Sequence, residues 1–180
     1  IVQVGTRVKP FKSVMFNETE LVEKFGINVI PVNMAEAVDR LNRIYAEKLE
    51  QLKADAQEVK KKIDTGSITD ELLEKMMAFV YFYKELDEEY KASIISTECW
   101  TSMQLAFGAM PCLAMSLLAD MGYYVLCESD IHGAITSALL SCAVRGKTPP
   151  FFGEFTCRNP KNDNSELLWH CGPFAYSLKK

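Results

Sequence analysis

Apolar residues recur along this chain in two rhythms, short unbroken runs and spacings of three and four, and their alternation argues for strands interleaved with helices. Ile1 to Val8 reads as a strand. Asn17 then caps a short helix, Glu18 to Phe25, ended by Gly26, and Ile27 to Val32 forms a second strand. Strand, helix and strand at this length predict a right-handed parallel crossover. From Met34 to Ile63 the residues Val38, Leu41, Ile44, Tyr45, Leu49, Leu52, Val59 and Ile63 keep helical spacing with charges between them, which predicts one long amphipathic helix. Asp64-Thr65-Gly66-Ser67 breaks it. Thr69 opens the next helix, Asp70 to Tyr90, which carries Leu72, Leu73, Met76, Met77, Val80 and Tyr81. The pair reads as a helical hairpin at about 34–91 inserted into the crossover, its charges forming a solvated face.

The second half is drier. Ser93 to Ser96 is a third strand that delivers Glu98 at its end, and Thr101 to Met121 is a buried helix kinked at Gly108 and Pro111. Tyr123 to Cys127 is a fourth strand delivering Glu128, and Ile131 to Val144 is another buried helix. The fold class is therefore α/β, an open parallel Rossmann-like sheet with an inserted long helical hairpin. In such sheets ligands bind beyond the carboxyl ends of the strands, where Glu98 and Glu128 are expected. After Pro149-Pro150 the pattern turns to strands without helices, Phe151 to Cys157 and Glu166 to Trp169. These read as the first strands of a mostly β domain, so the expected division is an α/β domain over 1–146 and the start of a β-rich domain over 147–180. The chain opens on Ile1 inside a core-like strand and closes on Lys180 without a natural stop, the pattern expected of a fragment.

Composition narrows the functional classes. Of 180 residues 48% are hydrophobic and 24% charged, with a net charge of −4, as in an ordinary globular protein. Nucleic-acid binding lacks its basic footprint, and no apolar run approaches the roughly 20 residues of a membrane span. Residues 1–97 hold 14 of the 20 basic and 17 of the 24 acidic side chains, so the few carboxylates of the second half stand out. All six cysteines lie there, mostly among Leu, Ala and Val and never as C-x-x-C, which predicts free thiols in a reducing cytoplasm.

Three of the polar groups in that half share one grammar. Glu128 follows Tyr123-Tyr124-Val125-Leu126-Cys127, Glu154 follows Pro149-Pro150-Phe151-Phe152-Gly153, and His170 follows Leu167-Leu168-Trp169. At the ends of what read as buried strands, charged groups are costly unless paired or bound to a metal, and a shared cation satisfies all three. Oxygen ligands favour Mn²⁺ or Mg²⁺, and the imidazole admits Mn, Co, Zn or Fe. Two carboxylates and an imidazole with open positions suit a Lewis acid that binds a carbonyl and its neighbouring hydroxyl while a carboxylate moves the proton between the two carbons. Ordinary roles stay open beside this one. Asp130, or less favourably Glu128, is placed to cap the helix beginning near Ile131. His170 is alternatively a hydrogen-bonded core histidine. His132 reads as a first-turn helix residue and Asp120 as a helix-end group or a partner for a backbone donor.

Read together, Glu98-Cys99-Trp100, Met110-Pro111-Cys112, Ser116 to Gly122, Cys127-Glu128-Ser129-Asp130, Pro150-Phe151-Phe152-Gly153-Glu154 and Trp169-His170-Cys171-Gly172 resemble the L-fucose isomerase family and the related L-arabinose isomerases. Val4-Gly5-Thr6-Arg7, Phe25 to Val29 and Pro31-Val32-Asn33-Met34 are similar to the opening of that family's middle domain. The resemblance implies an enzyme that interconverts an aldose and its ketose with Mn²⁺ or another divalent metal through a cis-enediol, acting as a homo-oligomer with shared active sites. It implies Glu128 and Glu154 as catalytic and metal-binding carboxylates and His170 as a metal-binding imidazole, the last as in the arabinose branch. Glu98, Trp100 and Asp130 are expected near the sugar. The chain would then be the middle domain and the start of the carboxy-terminal domain, inactive by itself. Two rivals remain: a non-catalytic sugar-binding or regulatory module of the same fold, and a dinucleotide- or phosphate-binding domain. The latter is disfavoured because no G-x-G-x-x-G or Walker sequence follows the first strand.

Overall fold

The computed structural model describes residues 1–179, so Lys180, the last residue of the expected second domain, lies outside them. β1 (Val2–Val4) is buried throughout and pairs in parallel with β2 (Ile30–Val32) on one side and β3 (Ile95–Thr97) on the other. β4 (Val125–Leu126) pairs in parallel with β3, which makes the order β2-β1-β3-β4. Val2, Val4, Ile95, Val125 and Leu126 are buried in these strands, as a parallel sheet covered on both faces requires, with Gln3, Ser96 and Thr97 as buried polar members. Pro31 lies in β2, an edge strand, where its missing N–H breaks no central ladder.

Helix boundaries follow the capping residues. α1 (Glu18–Phe25) starts where the Asn17 side chain accepts from the Glu20 N–H at 3.2 Å. α2 (Met34–Glu47) starts where Asn33 accepts from the Glu36 N–H at 2.9 Å. The single helix expected over 34–63 is divided at Lys48, whose φ of −111° and ψ of 16° leave the helical region, and α3 (Leu49–Lys62) resumes after it. Lys48 falls on the buried stripe that runs through Leu41, Ile44, Leu52 and Ala56. A cation is not accommodated there, and its ammonium reaches out over the Tyr81 ring instead, 5.4 Å from the centroid.

α4 (Asp70–Tyr90), opened by Thr69, is the central helix of the core, with Leu73, Met77, Phe79, Phe82, Tyr83 and Leu86 buried. It packs against α2, α3 and α6 (Cys112–Asp120). The charges of this insertion are a solvated face, as expected: Arg40 pairs with Glu36 and Glu89, and Arg43 with Glu47 and Glu85. The helix expected over 101–121 is two, α5 (Ser102–Phe107) and α6, separated at Gly108 and Pro111. α7 (Ile131–Ala143) follows β4.

Beyond it lies a separate antiparallel ladder, β5 (Glu154–Arg158) with β6 (Glu166–Trp169). Their apolar runs predict buried strands, but every residue of both is exposed, Phe155 at 81% and Trp169 at 51%. Among the described residues no α-helix follows Pro149-Pro150 to cover either face of the ladder. Among the described residues no helix is long and apolar enough to cross a membrane.

Candidate metal centre

The carboxyl edge of the parallel sheet is built from three chain reversals. After β1, Gly5 takes φ of +75° and donates its N–H to the Val32 carbonyl at 2.8 Å. After β3, Glu98 folds back over it. A side chain at Gly5 would stand 2.7 Å from Glu98 Oε2, so only glycine permits both the backbone turn and the close approach. Glu98 is 7% exposed, and its two oxygens are engaged. Oε2 accepts from the Thr6 N–H at 2.8 Å and the Thr6 hydroxyl at 3.3 Å, and Oε1 accepts from the Ser102 hydroxyl at 2.5 Å. Glu98 thus ties the ends of β1 and β3 to α5.

After β4 comes the third reversal, at Glu128 and Ser129, with φ of +70° and +54°. Two consecutive left-handed non-glycine residues cost about 1–3 kcal/mol each, a strain held here by surrounding contacts. The Ser129 N–H donates to the Thr97 carbonyl at 2.9 Å, and its side chain is fully buried. Asp130 then caps α7, its Oδ1 accepting from the Gly133 N–H at 2.9 Å. Of the two capping alternatives the structure takes Asp130, which leaves the Glu128 carboxylate uncommitted.

The β5–β6 ladder brings the other two groups to that edge. Its register sets Glu154 opposite Trp169, next to His170. One ligand atom from each of Glu128, Glu154 and His170 lies within 4.8 Å of the others. His170 Nδ1 is 3.3 Å from Glu154 Oε2, and the imidazole side chain is 1% exposed against 48% for Glu154. Phe152 meets the ring edge-on, with centroids 4.8 Å apart, and Phe152 itself packs on the cluster of Ile94, Leu126 and Ala134. His170 Nε2 is buried without a hydrogen-bond partner. Burial pushes the Glu128 carboxyl up to about 7, with the negative charges of Glu154 and Asp130 adding to it. Two carboxylates crowding one another beside a buried imidazole form a donor set that a divalent cation relieves, so the residues fit the expected metal.

The remaining candidates lie elsewhere in role or place. Trp100 is 44% exposed and stacks on Phe11, with centroids 5.7 Å apart. His132 is an exposed first-turn residue of α7, and Asp120 accepts from the Ser177 N–H and hydroxyl, both as expected. The free-thiol expectation is corrected for two cysteines: Cys99 and Cys127, on the reversals after β3 and β4, form a disulfide with Cα atoms 5.8 Å apart. Cys112, Cys142, Cys157 and Cys171 are free. The position of each bridged cysteine beside a strand-ending glutamate was the available signal, and the apolar surroundings concealed it.

No family model matches the chain. It is similar to curated proteins named sulfoquinovose isomerase: 29% identical over 161 residues to that of Alkalicoccus urumqiensis, covering 89% of this chain and 35% of that protein. For the one from Clostridium sp. (strain MSTE9) the identity is 28% over 166 residues, covering 91% of this chain and 35% of the relative. For that of Priestia megaterium it is 26% over 162 residues, covering 90% and 35%. The chain therefore spans about a third of the length of the curated relatives it matches. By name these relatives are sugar isomerases, of sulfoquinovose rather than of L-fucose or L-arabinose, so the likeness of this chain is to sugar isomerases.

Proposed function

We propose that this chain is part of a metal-dependent aldose–ketose sugar isomerase, with Glu128, Glu154 and His170 holding a divalent cation, Mn²⁺ by preference. The observation that carries the reading is the convergence of those three ligand atoms within 4.8 Å at the carboxyl edge of the sheet. Similarity to proteins named sulfoquinovose isomerase supports the reaction class.

Held by Glu128, Glu154 and His170, a divalent cation would supply polarisation of the sugar carbonyl and its adjacent hydroxyl. The chain's own groups move the protons. Glu128, whose carboxylate no helix cap or hydrogen bond among the described residues claims, suits the task of taking a proton from C2 and returning it to C1. The C2–H bond breaks, the double bond of the cis-enediol forms between C1 and C2, and a new C1–H bond completes the ketose. Glu154, half-exposed, carries the hydroxyl proton from O2 to O1. His170 is held in place by Phe152 and burial. Glu98 and Trp100 stand at the same edge of the sheet as expected sugar neighbours, Glu98 with its carboxylate committed to Thr6 and Ser102.

The proposal includes a division at about residue 146, with the exposed β5–β6 ladder as the start of a β-rich domain whose remaining strands cover it. It also includes a full-length homo-oligomer in the cytoplasm. The test is Mn²⁺-dependent isomerisation of sulfoquinovose, L-fucose, L-arabinose and D-arabinose by the full-length protein and its Glu128→Gln and Glu154→Gln variants. Turnover of one of these sugars that falls at least about a hundredfold in each variant agrees with the role of the pair. Unchanged turnover in both variants, or sugar binding without turnover, contradicts it, the latter in favour of a non-catalytic sugar-binding module.

A further inference from the structure

His170 carries two nitrogens in opposite situations. Nδ1 faces Glu154 at 3.3 Å, on the side where Glu128 also stands. Nε2 is buried and without a partner. What lies against it is the main chain of Gly172: a Cβ built on that glycine would stand 2.5 Å from Nε2, 2.8 Å from Cδ2 and 3.6 Å from Cys127 Sγ. The first two distances are well below van der Waals contact, so any side chain at 172 displaces the ring. Gly172 is not among the glycines of positive φ, so its backbone conformation is one alanine also adopts. Its lack of a side chain therefore matters for space rather than for a turn.

The geometry points to Gly172 as a positioning residue for His170, sealing the Nε2 side of the imidazole so that Nδ1 is the nitrogen presented to a cation beside Glu128 and Glu154. This deepens the metal-site reading and rests on it. Phe152 fixes the ring from its edge, 4.8 Å away, and Gly172 fixes it from the Nε2 end. The outer shell of a metal site orients its ligand imidazole, and disturbing that shell lowers metal affinity about 10–100-fold; here the shell at Nε2 is the packed Gly172 main chain. In the sequence Gly172, just before Pro173, carries only the ordinary signal of a turn.

The test is a cycle of three variants, Gly172→Ala, His170→Ala and the two combined, with Mn²⁺ affinity read by titration and the metal-free proteins compared by imidazole ¹⁵N and ring-proton NMR. The chain has two histidines, so His132→Ala assigns the His170 signals. Gly172→Ala is expected to weaken Mn²⁺ binding about 10–100-fold and to shift the His170 ring signals in the metal-free protein. On the His170→Ala background it is expected to change affinity by less than about twofold, because its effect passes through the ring. Unchanged ring signals in Gly172→Ala overturn the positioning role whether or not metal binds. A penalty that persists in full without the imidazole overturns it too, as that of a merely structural glycine. Shifted ring signals in Gly172→Ala, together with a wild-type chain that binds no Mn²⁺, uphold the packing role and remove the metal-site reading alone.

Discussion

Replacing Glu98 by alanine removes the acceptor that joins the ends of β1 and β3 to α5. Hydrogen bonds to a charged group contribute about 1.5–3 kcal/mol each, but the Thr6 end is exposed and rehydrates once freed. Giving full weight to the Ser102 bond and a fraction to the two from Thr6 leaves a loss of about 3 kcal/mol. For a chain of this length that lowers the melting temperature by about 6–12 °C. Glutamine keeps the geometry, since its carbonyl accepts from the Thr6 N–H while its amide donates to the Ser102 oxygen. Only the charge assistance goes, a loss of about 1 kcal/mol or 2–4 °C. Calorimetric melts of both variants decide the matter. An alanine variant that melts within about 1 °C of the parent refutes the tie and returns Glu98 to the role of a free sugar-binding group.

Two further outcomes follow from the same edge of the sheet. In the metal-free folded chain Glu128 is pushed up to about 7, whereas in the unfolded chain it returns to the ordinary carboxylate range. Between those values the folded state holds one proton more. The contribution of this group is thus fully present below the unfolded value and is lost as pH rises through about 7. Melts of metal-free protein between about pH 4 and pH 8.5 are expected to fall less steeply in Glu128→Gln over the window from the ordinary carboxylate value to about pH 7, and identical slopes there contradict the assignment. Asp130→Ala removes the α7 cap and is expected to cost about 1 kcal/mol, while Asp130→Asn, which still accepts from Gly133, restores most of it. Equal losses in the two variants point to a role for the carboxylate beyond capping.

Much of the fold was legible because its signals are local. Asn17, Thr69 and Asp130 announce helix starts by residue type, and the parallel sheet follows from apolar runs alternating with helical spacing. The division at Lys48 was not legible: helical spacing continues through it, and its contact with the Tyr81 ring, more than thirty positions away along the chain, is a feature of the fold. Exposure of β5 and β6 was missed because apolar strands predict burial only where another layer exists to cover them. At the site, Glu128, Glu154 and His170 stood out as charged or polar groups ending apolar runs. The roles of Gly5 and Gly172 are distances across the fold, which sequence spacing does not contain.

The central claim is that the side chains of Glu128, Glu154 and His170 share one divalent cation, and direct Mn²⁺ titration followed by electron paramagnetic resonance addresses it without reference to any sugar. The expected result is a single site in the parent chain whose affinity falls at least about tenfold in each of Glu128→Gln, Glu154→Gln and His170→Ala. Binding that is undiminished in all three variants, or absent from the correctly folded parent, contradicts it.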